Sequence, residues 1–76
     1  MNMRQLEAFR ATIRSGSITG AAQVMHVSQP SVSRLVADLE HSVGFPLFVR
    51  AGRGLTPTAE ARRFYAGVEG MFQGID

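Results

Sequence analysis

Residues 21–34 read Ala21-Ala22-Gln23-Val24-Met25-His26-Val27-Ser28-Gln29-Pro30-Ser31-Val32-Ser33-Arg34, and this stretch decides the fold. Ser28 is a good N-cap, because its hydroxyl can accept from an orphan amide in the first helical turn. Pro30 falls in that first turn, where a missing N–H does no harm. From there Val32, Leu35, Val36, Leu39 and Val43 recur at helical spacing and form a strong apolar stripe. Gly44 stops the helix in the manner of a C′ glycine. Upstream, Ser17 caps a shorter helix from Ile18 to about Met25, and Ala21-Ala22 let another helix come close. His26-Val27 leaves room only for a tight turn between the two.

Working outward, Met3, Leu6, Phe9 and Ile13 give a first amphipathic helix that ends at Ser15-Gly16. Beyond Gly44, Phe45-Pro46-Leu47-Phe48-Val49-Arg50 is a strand-like run. Ala51-Gly52-Arg53-Gly54 is a turn, and Leu55-Thr56-Pro57 returns. Pro57 confines the second strand to an edge or an end. Thr58 caps a last helix, with Glu60 well placed in its first turn. Along it Ala61, Phe64, Val68, Met71 and Ile75 make a stripe that Tyr65 and Phe72 widen. The expected fold class is all-α with a small two-stranded β-wing, a winged helix-turn-helix followed by a long helix. The division is residues 1–58 for the winged part and 59–76 for the long helix.

Composition narrows the function classes. Seventy-six residues make one domain at most. Apolar residues are 45% of the chain, which argues against disorder. No apolar run is long enough to span a bilayer, and Met1 to Arg4 lead into an amphipathic stretch rather than a signal peptide. The absence of cysteine fits a reducing cytoplasm, although a chain this short can lack cysteine by chance. The net charge is only +2, yet all eight basic residues are arginine. Arginine's planar fork suits phosphates and guanine edges, but a GC-rich genome also favours Arg codons, so charge alone is weak evidence. His26 and His41 lack a metal-ligand spacing. Ser28, Ser31 and Ser33 have no His/Asp arrangement to activate them, and Gly52-Arg53-Gly54 is no phosphate-binding loop. The reading is not an enzyme, with no cofactor.

Two helices joined by a tight turn, the second beginning with small polar residues, are what major-groove reading requires. At roughly 100° per residue, the stripe Val32, Val36, Leu39 and Val43 faces inward. Pro30, Ser33, Arg34, Ala37 and His41 then face away, with Gln29 at the tip and Ser31 and Asp38 on the flank. Gln can pair with adenine, Ser with several base edges, and Arg with guanine or phosphate. A generic surface helix also carries Ser, Gln and Arg outside. Spacing alone therefore favours DNA recognition without closing off that plainer reading, and a winged helix that binds protein is a further alternative.

The combination of Ala21-Ala22, Val27 through Arg34, Leu39-Glu40, Gly44, Leu47-Phe48, Arg50 and Pro57-Thr58 resembles the N-terminal domain of LysR-type transcriptional regulators, over nearly the whole chain. The resemblance implies a recognition helix over 28–43, with DNA contacts from Ser28, Gln29, Pro30, Ser31, Ser33 and Arg34. It implies that Arg53 enters the adjacent minor groove from the wing, between Gly52 and Gly54, which keep the tip slim. Arg50, just before the turn, reads as a phosphate contact. The partner is double-stranded DNA at an inverted-repeat operator. A homodimer through Phe64, Val68, Met71, Phe72 and Ile75 of the final helix is also implied, as is an effector-binding domain following Asp76. Bacterial cytoplasm is the expected location. Two features depart from the family pattern: Ala61 stands where Gly is frequent, and Gly20 replaces a larger residue. The Pro57-Thr58 end with Glu60-Ala61 after it is similar to a subset of amino-acid and opine catabolism regulators.

Overall fold

The computed structural model describes residues 1–52 and 54–73. Three helices come first: α1 (Met3–Ser15), α2 (Ile18–Met25) and α3 (Gln29–Val43). A hairpin of β1 (Phe48–Ala51) and β2 (Gly54–Pro57) follows, then α4 (Ala59–Gln73). The strands pair antiparallel, Phe48 with Pro57 and Ala51 with Gly54 at the two ends of the ladder. The fold is all-α with a two-stranded wing, as the sequence pattern requires.

Each helix begins where a side chain can satisfy the orphan amides of its first turn. Ser17 Oγ accepts from the Gly20 amide at 2.9 Å, Ser28 Oγ from Ser31 at 3.2 Å, and Thr58 Oγ1 from Ala61 at 3.0 Å. The α1 start is a reciprocal capping box: the Gln5 amide donates to Asn2 Oδ1, and the Asn2 amide donates to Gln5 Oε1. Gly16 and Gly44 close α1 and α3 at φ +81° and +82°, a left-handed geometry that a side chain would strain. Gly20 answers to a different constraint. A Cβ there would sit 2.8 Å from Ser15 Cβ, so the first turn of α2 approaches the end of α1 too closely for any side chain.

The core gathers Leu6, Phe9, Ala21, Ala22, Val32, Val36, Leu39, Leu47, Ala61 and Val68. Phe9 has no exposed surface. Its ring meets Phe48 at 5.8 Å, Phe64 at 5.4 Å and Tyr65 at 6.2 Å, and so joins α1 to the wing and to α4. Thr12 is the one buried polar side chain among the described residues, and its hydroxyl donates to the Ala8 carbonyl.

The structure revises two expectations. The strand starts at Phe48, not Phe45: Pro46 has no N–H for a ladder, and the Leu47 amide donates to Glu40 Oε2 at 2.7 Å instead. Leu47 is then fully buried beneath the wing. Val68, read from its spacing as part of a dimer seam, is only 2% exposed within the chain itself. The first three turns of α4 lie on α1 and carry Val68 into the protomer's own core, so it has no surface left for a partner. Phe64 is likewise half-buried, against Phe9 and Phe45. Phe72 is half-buried beneath Arg10, Met71 is 50% exposed, and Ile75 lies outside the described residues.

His26 closes α2 in the left-handed region at φ +59°, the only non-glycine to do so among the described residues. Its amide donates to Ala22 and Gln23, and its side chain is exposed. A β-carbon in that conformation costs roughly 1 kcal/mol or more. His26→Gly is therefore expected to raise stability by about 0.5–1 kcal/mol, since glycine's extra chain entropy offsets part of the relief. Urea unfolding with an unchanged m-value checks it; a loss of stability would mean that the histidine ring makes a compensating contact.

Candidate nucleic-acid interface

The turn at His26 and Val27 sets α3 across α2. The Val27 amide donates to the Ala22 carbonyl at 3.1 Å, which leaves α3 free to start one residue later at the Ser28 cap. Val32, Val36 and Leu39 are buried. Gln29, Pro30, Ser31, Ser33, Arg34, Ala37 and His41 are exposed, which puts the whole polar tip on the outer face.

The side chains of that tip are not equally free. Ser28 Oγ is engaged by the Ser31 amide and lies 2.8 Å from Ser31 Oγ, so these two hydroxyls brace the helix start. Arg34 Nε lies 3.5 Å from Asp38 Oδ2, with 81% of the arginine side chain exposed. A solvent-exposed pair of this kind contributes about 0–1 kcal/mol and yields easily to a stronger partner. Asp38 thereby holds the guanidinium near the helix surface.

The wing adds its own group to this face. Arg50 on β1 is exposed and lines a shallow cleft with Ser33 and Ala37 of α3. A second cleft joins Arg50 to Gln29 and to Ser17, Ile18 and Thr19 at the start of α2. One continuous surface thus carries the α3 tip, the first turn of α2 and a wing arginine. Arg53 lies outside the described residues. Thr19, which the sequence reading passed over, stands exposed at a helix N-terminus on this surface, where amide groups and the helix dipole favour a phosphate. Its neighbour Ser17 is legible as a cap, but only the fold reveals which surface that cap adjoins. Arg4 of α1 was missed too: it shares a cleft with Pro30, Ser31 and Arg34, though Glu7 pairs with it at 3.0 Å.

The tie between Glu40 and Leu47 links α3 to the root of the wing. Thr58 completes it, donating from its amide to the Leu47 carbonyl and from its hydroxyl to the Pro46 carbonyl. α3, the wing and the start of α4 share one set of hydrogen bonds. A larger hollow lies elsewhere, an open groove of about 820 Å³ lined by α1, α2 and Phe72 of α4. Its charged groups, Arg4, Glu7, Arg10 and Arg14, are engaged in ion pairs. No group of three potential metal ligands comes together, and no helix is long and apolar enough to cross a membrane, among the described residues.

Residues 3–62 match the family described as bacterial regulatory helix-turn-helix protein, lysR family. The chain is 43% identical over its full length to the octopine catabolism/uptake operon regulatory protein OccR of Rhizobium meliloti, covering 26% of that protein. It is 47% identical over 72 residues to the regulatory protein NocR of Agrobacterium fabrum, covering 95% of this chain and 24% of that one. The chain thus spans about a quarter of the length of these curated relatives. Among solved structures, a complex of the CbnR DNA-binding domain with DNA is 34% identical, with a TM-score of 0.90 over 96% of this chain and 84% of that one. A BenM DNA-binding domain bound to benA site 1 DNA is 32% identical, with a TM-score of 0.93 over all of this chain and 85% of that one. The relatives are regulators rather than enzymes, and the chain belongs to the LysR family of bacterial regulatory helix-turn-helix proteins.

Proposed function

We propose that this chain is the operator-reading module of a bacterial LysR-type regulator, binding double-stranded DNA sequence-specifically in the cytoplasm. One observation carries the reading. The first two turns of α3 expose Gln29, Pro30, Ser31, Ser33 and Arg34 together, while Val32, Val36 and Leu39 on the opposite face are buried. A helix presented in this way can enter the major groove tip first and offer donors and acceptors to base edges. Solved relatives whose structures are DNA complexes support it. Ser28 and Ser31 stiffen the tip, Gln29, Ser33 and Arg34 read, and Arg50 grips a phosphate. Arg53 reaches the flanking minor groove. Residues 1–58 read DNA, and residues 59–76 link and dimerise. Effector recognition, with amino acids and opines the favoured class, falls to a further domain following Asp76.

A dimer on an inverted repeat fits this assignment, with a reduced seam. Val68 is excluded by its burial, which leaves Met71 as the exposed apolar residue of the stripe among the described residues, next in sequence to the half-buried Phe72. Two-fold pairing is the commonest arrangement of homo-oligomers. Met71→Glu is expected to give a folded protein that sediments as a monomer where the wild type is a dimer. A wild type that stays monomeric on its full site would assign Met71 to plain solvent exposure.

The reading itself is tested with a DNA sequence selected from a random pool and gel shifts at fixed salt. Arg34→Ala should weaken specific binding by at least about 1 kcal/mol, the scale of one good base or charged contact. Thermal stability should hardly change, because the side chain is 81% exposed and its ion pair with Asp38 is a weak surface contact. Equal affinity for the selected and random DNA in the wild type would favour the protein-binding alternative.

Arg53→Ala should lower affinity more for A·T-rich flanks than for G·C-rich ones, since a narrow minor groove concentrates negative potential. Arg53→Lys should restore only part of the difference, because ammonium is the more strongly hydrated cation. The same loss on both flanks would reduce Arg53 to a phosphate contact.

A further inference from the structure

The two halves of α4 are held differently: the first by core burial, the second by less apolar packing with an ion-pair cluster beside it. Ala61 and Val68 are buried, and Phe64 and Tyr65 pack on Phe9. Val68 is the last fully buried residue among those described. After it, Gly70, Met71 and Gln73 are exposed and Phe72 is half-buried. Gly67 and Gly70 flank this changeover, and a Cβ at either would meet open space. Nothing among the described residues requires a glycine at these positions, yet each weakens the helix by about 1 kcal/mol against alanine.

This end is tied to the body by Phe72, half-buried against the core, and by a set of polar contacts. Arg10 Nε of α1 donates to Glu69 Oε1, and Arg14 Nη1 lies 3.9 Å from Glu69 Oε2. The Arg10 guanidinium also stacks over Phe72, 4.6 Å from the ring centroid. Glu69 and Phe72, three residues apart and so on one face of the helix, therefore grip one arginine from two sides. The Glu69 side chain is 21% exposed and that of Arg10 31%, which spares the pair the full screening of a surface contact. The Arg10 hydrogen bond holds the Glu69 carboxyl below its ordinary pKa despite burial, so the clasp stays charged at neutral pH. The Arg4–Glu7 pair is more exposed and joins α1 only to itself.

We propose that Glu69 is a positioning residue: clasped by Arg10 and Arg14, it fixes the direction in which the end of α4 leaves the domain, and so the half-site separation that a dimer accepts. The second part rests on the dimer reading above. α3 and α1 belong to one packed body, so a change in the angle of α4 against α1 changes the separation of two recognition helices across a two-fold axis. One base pair of error corresponds to about 3.4 Å along the duplex.

The first experiment needs no DNA. The chain has no cysteine, so Q23C and Q73C together allow spin labels on two exposed positions, one on α2 and one at the end of α4. Pulsed dipolar spectroscopy should give a narrow distance distribution in the otherwise wild-type chain. E69Q and R10K should broaden it, and E7Q should not. An unchanged width in both E69Q and R10K overturns the clasp, whatever the DNA results. The second experiment measures binding to paired half-sites at graded separations and to a single half-site. E69Q should bind the single half-site like wild type. It should lose about threefold of the discrimination between the preferred separation and one base pair more. Broadened distances with an unchanged separation profile overturn the link to spacing. A wild type indifferent to separation removes the dimer reading and the spacing claim with it, while the distance measurement still decides the clasp.

Discussion

Burial of one aromatic ring governs the arrangement of everything else. Phe9 lies on α1, but its neighbours Phe48, Phe64 and Tyr65 come from the wing and from α4. Burying such a side chain contributes on the order of 2–3 kcal/mol from removed area alone. For a 76-residue chain with no disulfide, that is a large share of a total stability of roughly 4–11 kcal/mol. Tilted and edge-on ring contacts also fix relative angles in a way that aliphatic packing does not. The ring therefore sets the geometry of α1 against the wing and α4, which follow much later in the sequence.

Around that ring the functional surface is assembled by a few hydrogen bonds whose donors come from breaks in regular structure. Pro46 interrupts the chain just before the wing, and the following amide, on Leu47, is bound by a carboxylate from the recognition helix. Thr58 does two jobs at once, capping α4 and closing onto the Pro46 carbonyl. Glu40 carries a negative charge on the helix proposed to face DNA, where it would repel phosphates. Its hydrogen bond to the wing root engages one carboxylate oxygen, while Glu40 still lines the cleft with Ser33 and Arg50.

Much of this was legible from the sequence because the signals are local. Caps at Ser17, Ser28 and Thr58, stops at Gly16 and Gly44, and the stripe Val32, Val36 and Leu39 depend on residues within one or two helical turns. The exposed tip of α3 follows from the same stripe. The misreadings have the opposite character. Val68 has the right spacing for a seam, but an apolar stripe does not say whether its partner is the same chain or another copy. Phe45 and Leu47 have strand-like composition, but Pro46 between them lacks an N–H and the Leu47 amide is taken by Glu40 of the preceding helix. Nothing local marks Glu69, because its partners Arg10 and Arg14 lie more than fifty residues away along the chain. Gly20, a departure from the family pattern, makes sense once Ser15 is seen against it.

The tie from α3 to the wing root also bears on the thermodynamics of association. Groups that are ordered only on binding take their conformational entropy from the affinity, and those already ordered do not. Here the Leu47 amide, the Thr58 hydroxyl and the buried Leu47 side chain fix the base of the hairpin during folding. On the proposed reading, the helix and the base of the wing meet the duplex as one body. The heat capacity change of binding would then reflect the surface buried between protein and DNA, with little added from coupled folding of the wing's base.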